Sequence, residues 1–165
     1  MRLHVLILVL AACGGSDVDL TGVYRVDSAV GSMPCGADAS ITYPAFLRFE
    51  KMEFLGQPFF AYDGCTDETA TECTSVGGLI GGFFEPTDDG WLGRTSFSSG
   101  GGASCTLGII NQSATLRSAA LTIEISSHEE EVDGLPDDQC DPDEAERRGT
   151  EMPCIEHSLI DATKL

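Results

Sequence analysis

From Leu20 onward, apolar and polar positions alternate over short runs separated by clusters of Gly, Pro, Asp and Ser. A period of two sends successive side chains to opposite faces, so each run predicts a half-buried β-strand. In the first run Leu20, Tyr24 and Val26 alternate with Thr21, Arg25 and Asp27. Residues 45–55 and 58–62, rich in aromatics, predict the second and third strands, and 79–85 a fourth. The stretch Thr87-Asp88-Asp89-Gly90 ends in an Asp-Gly hairpin signal and leads into 91–97. Runs at 105–110, 116–126 and 155–165 complete a set of about eight strands. The expected fold class is all-β, an antiparallel meander forming either a barrel or a sandwich. One short helix over 141–148 interrupts it. Asp141 can cap that helix, Pro142 sits at its first position, Glu144 completes a capping box, and Gly149 ends it.

The first residues break the alternating pattern. Arg2 precedes an apolar run, 3–10, interrupted only by His4, and small residues Ala11 and Ala12 follow. The run is too short for a membrane-spanning helix, which needs about 20 apolar residues. It has the layout of an export signal. Leu10-Ala11-Ala12-Cys13 resembles the lipobox that closes the signal peptide of bacterial lipoproteins. That resemblance implies diacylglyceryl attachment to the Cys13 thiol, cleavage before Cys13, and acylation of the new amino group. Two or more acyl chains make a stable anchor, because each buried methylene contributes about 0.8 kcal/mol. Gly14 occupies the position where aspartate retains lipoproteins in the inner membrane of enteric bacteria, so the resemblance implies the outer membrane. The expected organisation is a signal peptide at 1–12, a flexible tether at 13–19, and a single β domain at 20–165.

Cysteine usage agrees with export. Of seven cysteines, Cys13 takes the lipid and Cys35, Cys65, Cys73, Cys105, Cys140 and Cys154 remain. An even remainder in an exported chain predicts disulfides, formed in an oxidising periplasm or at the cell surface. Local loop closure suggests Cys65 with Cys73 and Cys140 with Cys154, which leaves Cys35 with Cys105. No CxxC pair exists and only His128 and His157 could add imidazoles, so zinc-ribbon spacing is absent.

The formal charge of −18 opposes binding to nucleic acid and electrostatic attraction to anionic lipid headgroups. Acidic residues concentrate in 129–146, where hard oxygen ligands are dense enough to raise a calcium site. EF-hand spacing fails at Gln139 and Ala145, and Val132 and Leu135 are the only large apolar residues between Glu129 and Asp138. The expectation is a mobile, solvated loop holding no specific ion. Catalytic motifs such as GxSxG, HExxH and a Walker A loop are absent, and the glycine-rich stretches 77–82 and 100–102 lack nucleotide-binding spacing. Glu50 and Glu53 fall on opposite faces of one strand and cannot pair as acid and base. No cofactor is expected, and no enzymatic activity.

Leu20-Thr21-Gly22-Val23-Tyr24-Arg25 is similar to the opening of lipocalin-like proteins, although Tyr24 replaces the tryptophan and no arginine follows in the last strand to cover it, only Lys164. The similarity implies an eight-stranded barrel whose mouth holds a small apolar ligand. Three functions therefore stand: an anchored binding or structural module, a carrier with a cavity lined by Phe46, Phe59, Phe83, Trp91 and Phe97, and a hydrolase with an unrecognised site.

Overall fold

A computed structural model describes residues 18–55, 57–80, 87, 90–101 and 103–165. The signal peptide, Cys13, the tether as far as Asp17, and Phe83 lie outside the described residues. So do 81–85 of the expected fourth strand and Asp88-Asp89 of the hairpin signal.

The structure is all-β, with one short helix. Its strands are β1 (Gly22–Ser32), β2 (Ala39–Ser40), β3 (Phe46–Phe54), β4 (Gln57–Cys65), β5 (Cys73–Ile80), β6 (Gly90–Gly101), β7 (Ser104–Arg117), β8 (Ala120–Asp133) and β9 (Cys154–Lys164). They form one antiparallel sheet in the order β5-β4-β3-β1-β9-β8-β7-β6, with β2 added beside β1. The sheet is two meanders joined where the first strand meets the last, from Tyr24↔Lys164 to Ser32↔His157, with a bulge near Asp27.

The expected set of about eight strands forms, with two-residue β2 as a ninth among the described residues. Two expected strand bounds need correction. The strand expected at 79–85 begins at Cys73. The run 116–126 spans the tight turn between β7 and β8, where Ser118 takes a φ of 59°. The alternation continues across that turn, so the sequence pattern alone does not mark it.

The sheet is not closed, and among the described residues no ladder joins β5 to β6. It is nevertheless strongly curled. Phe60 on β4 and Trp91 on β6 belong to strands near opposite edges, yet their rings meet edge-to-face at 4.9 Å. The concave face holds Leu20, Tyr24, Leu47, Phe49, Phe60, Tyr62, Trp91, Leu121, Ile123 and Ile160, all buried. Tyr24, Phe49 and Tyr62 pack in sequence, with centroids 5.3 and 5.1 Å apart. Each such burial contributes about 1.5–3 kcal/mol, which makes this cluster the main cohesive element.

A second, smaller core lies on the outer face. There α1 (Pro142–Arg148) sets Ala145 against Cys105, Leu107, Ile109 and Met152. The helix forms as its punctuation predicts: Asp141 Oδ1 accepts from the Glu144 N–H at 2.8 Å, and the Gly149 N–H donates to the Ala145 carbonyl.

Candidate functional site

Three places carry the candidate chemistry: the point where the N-terminal segment enters the sheet, a groove around His157, and the acidic flank beside α1.

The entry point is tightly held. Trp91 Nε1 donates to the Val18 carbonyl at 2.7 Å, and the Tyr24 hydroxyl donates to the Leu20 carbonyl at 2.8 Å. Leu20 is fully buried. Lys164 Nζ lies 5.6 Å from the centre of the Tyr24 ring. The last strand thus sets a cation near the first-strand aromatic. Burial pushes the Tyr24 hydroxyl up to about 12, so it stays protonated and available as a donor.

The groove is lined by Gly31, Ser32, Met33, Ile41, Thr42 and residues 156–158, with a volume of about 330 Å³. On its flank His157 bridges two carboxylates, with Nδ1 3.3 Å from Asp38 and Nε2 3.4 Å from Glu124. Asp38 also accepts from the Ser32 hydroxyl at 2.9 Å, and that hydroxyl accepts from the Gly36 N–H at 3.1 Å. The hydrogen bond to Asp38, followed by that to Glu124, raises the His157 pKa above its usual value. Both ring nitrogens face carboxylates, so neither is placed to take a proton from a serine hydroxyl. The cluster ties the excursion between β1 and β3 to β8 and β9. His128 is likewise occupied, with Nδ1 3.0 Å from the Met152 carbonyl. No sequence signal joined Asp38, Glu124 and His157, because their adjacency comes from β-ladder register.

The acidic segment is ordered, contrary to the expected mobile loop. Its first part is the end of β8, paired with β7 from Gly108↔Glu129 to Ser104↔Asp133. Val132 and Leu135, although only two, supply packing by lying against the outer core. Arg148 reaches Glu130 at 2.7 Å and Glu144 at 2.9 Å, and Arg147 reaches Glu144 at 2.6 Å. Hydrogen bonds from Arg147 and Arg148 hold the Glu144 carboxyl down to about 2. Among the described residues no three His, Cys, Asp or Glu side chains converge as a metal site would require.

Disulfide connectivity corrects two expected pairs. Cys65 joins Cys73 across the β4–β5 end, but Cys140 joins Cys105 and Cys154 joins Cys35. The expected Cys140–Cys154 and Cys35–Cys105 bonds do not form because α1 folds onto β7, which sets Cys140 over Cys105. Cys154 opens β9 at the end where β1 leaves for Cys35.

Of the expected cavity residues, Trp91 and Phe97 share the concave face. Phe46 and Phe59 occupy the alternate positions to the buried Leu47 and Phe60, and so lie on the other face. Beyond Trp91 the concave face becomes mixed, with half-buried Phe97, Ile110, Gln112, Ile125 and Ser127. Gln112 Oε1 is buried there without a hydrogen-bond partner. Among the described residues no helix is long and apolar enough to cross a membrane. The chain matches no family model, no curated protein and no solved structure.

Proposed function

We propose that this chain is a cell-envelope lipoprotein. In this reading a disulfide-stapled β module, binding or structural in role and not enzymatic, is held at a membrane through a lipid on Cys13. The observation that supports it best is cysteine pairing: Cys35, Cys65, Cys73, Cys105, Cys140 and Cys154 are all consumed in disulfides. Such bonds suit an oxidising compartment, and no described thiol remains to pair with Cys13 at the lipobox-like Leu10-Ala11-Ala12-Cys13. The occupied imidazole of His157 weighs against the hydrolase reading. Outer-membrane placement follows from Gly14 after the cysteine.

Metabolic labelling with an alkynyl fatty acid tests the anchor. The wild type should be labelled and should partition into detergent, and Cys13→Ser should do neither. Equal labelling of both, or of neither, would remove the anchor.

A second reading, carriage of a small apolar ligand, draws on the unpaired Gln112 Oε1 on the mixed concave lining. A ligand with an apolar body and one hydrogen-bond donor would suit it. An environment-sensitive apolar dye displaced by such ligands from the wild type, and bound more weakly by Gln112→Leu, would favour carriage. Absence of saturable dye binding would remove it.

A further inference from the structure

The two ends of the sheet differ in chemistry. One end is where β1, β6 and β8 begin and β3, β7 and β9 finish. Among the described residues it carries four of the six exposed large hydrophobic side chains: Leu55 (81% exposed), Leu165 (59%), Met52 (48%) and Leu92 (37%). Leu55 occupies the β3–β4 turn with a φ of 51°, a left-handed conformation that disfavours side chains other than glycine and asparagine. An exposed leucine held there by an unfavourable backbone calls for a use. Among the described residues the same end holds Lys51 and Lys164, the chain's two lysines, with Arg25 and Arg117, against Asp19, Glu50, Glu53, Glu124 and Asp161. The dense carboxylates from Glu129 to Asp133 finish β8 at the opposite end.

The chain also leaves the domain at the apolar end. In the register Gly22↔Phe49, residues before Gly22 run toward the same edge as residues after Phe49. Val18 is fixed there by the Trp91 indole. The five-residue span from Cys13 to Val18 reaches about 18 Å at most, from about 3.3–3.6 Å per extended residue. A lipid on Cys13 would therefore hold this end, and no other, close to the bilayer.

We propose that this end is a membrane-contact face. Leu55, Met52, Leu92 and Leu165 enter the interfacial layer of the bilayer that carries the Cys13 lipid, and the acidic end stands away from it. Most of the described carboxylates lie elsewhere. The proposal rests on the lipoprotein reading, and the test separates the two.

The full-length lipidated protein is reconstituted into phosphatidylethanolamine–phosphatidylglycerol vesicles, with and without lipids brominated along the acyl chain. Single variants Leu55→Trp and Leu165→Trp report the proposed face, and Met33→Trp reports the far end. Bromolipid should quench the added emission at positions 55 and 165 and leave that at 33 unchanged. Equal quenching at all three, or none in protein that floats with the vesicles, would overturn the contact face and leave the anchor standing. Protein that fails to float would overturn the anchor, and the contact face with it. Using two reporters guards against one substitution disturbing its own turn.

Discussion

Alanine at position 108 should destabilise the domain, and trimming Phe97 should restore it. Gly108 is buried on the concave face of β7, directly opposite Phe97 of β6. A Cβ there would lie 2.1 Å from Phe97 Cζ and 2.6 Å from both Cε atoms, far inside contact distance. The ring must swing away or the strands must separate. Because Phe97 is only half-buried, it can yield, and overpacking of this kind costs about 1–3 kcal/mol. At about 2–4 °C per kcal/mol for domains near this size, Tm should fall by several degrees. Urea unfolding followed by the single tryptophan, Trp91, gives the stability directly. In a double-mutant cycle, Phe97→Leu should recover most of the Gly108→Ala loss, a coupling of about 0.5–3 kcal/mol. Gly90 provides the contrast. A Cβ there would sit 1.9 Å from the Ala114 carbonyl oxygen and 2.9 Å from Thr115 Cα, so only backbone could move. Gly90→Ala should therefore cost more than Gly108→Ala, and Phe97→Leu should not rescue it. A Gly108→Ala protein as stable as the wild type, or no recovery with Phe97→Leu, would refute this packing of β6 on β7.

Three further outcomes rest on the same geometry. The raised His157 pKa means its bridge contributes fully below the unfolded value, near 6.5, and is lost as pH rises through the folded value. Chemical denaturation from about pH 6 to 8 should show stability falling in the wild type and a flatter profile in His157→Gln. Non-reducing peptide mapping should recover Cys35–Cys154, Cys65–Cys73 and Cys105–Cys140, and Cys105→Ala with Cys140→Ala should cost about 2–4 kcal/mol and speed amide exchange in α1. Arg148→Ala, which strands Glu130 and cuts its link to Glu144, should reduce Tm more than Arg147→Ala, whose side chain is largely exposed.

What could be read from the chain followed the range of the interaction. Asp141, Pro142, Glu144 and Gly149 act within one another's reach along the sequence, and their helix forms where they mark it. Alternation at Leu121, Ile123 and the residues beside them marked strands for the same reason. The disulfides were opaque beyond Cys65–Cys73, because Cys105 meets Cys140 only after α1 docks on the outer face of β7. The acidic segment looked solvated because Arg148, which pairs with Glu130, lies 18 residues away in sequence. The His157 cluster draws on Asp38 and Glu124, 119 and 33 residues distant, and only the β1–β9–β8 register unites them. The face around Leu55 was invisible to a net-charge argument, since a sum over the chain erases the difference between its two ends.

Placement at a membrane turns on Cys13, and the most direct measurement is mass spectrometry of the N-terminal peptide from protein purified from its native membrane. The predicted result is a mature chain beginning at Cys13, with a diacylglyceryl group on its sulfur and acylation of its amino group. A chain beginning elsewhere, or one carrying an unmodified Cys13, would contradict it.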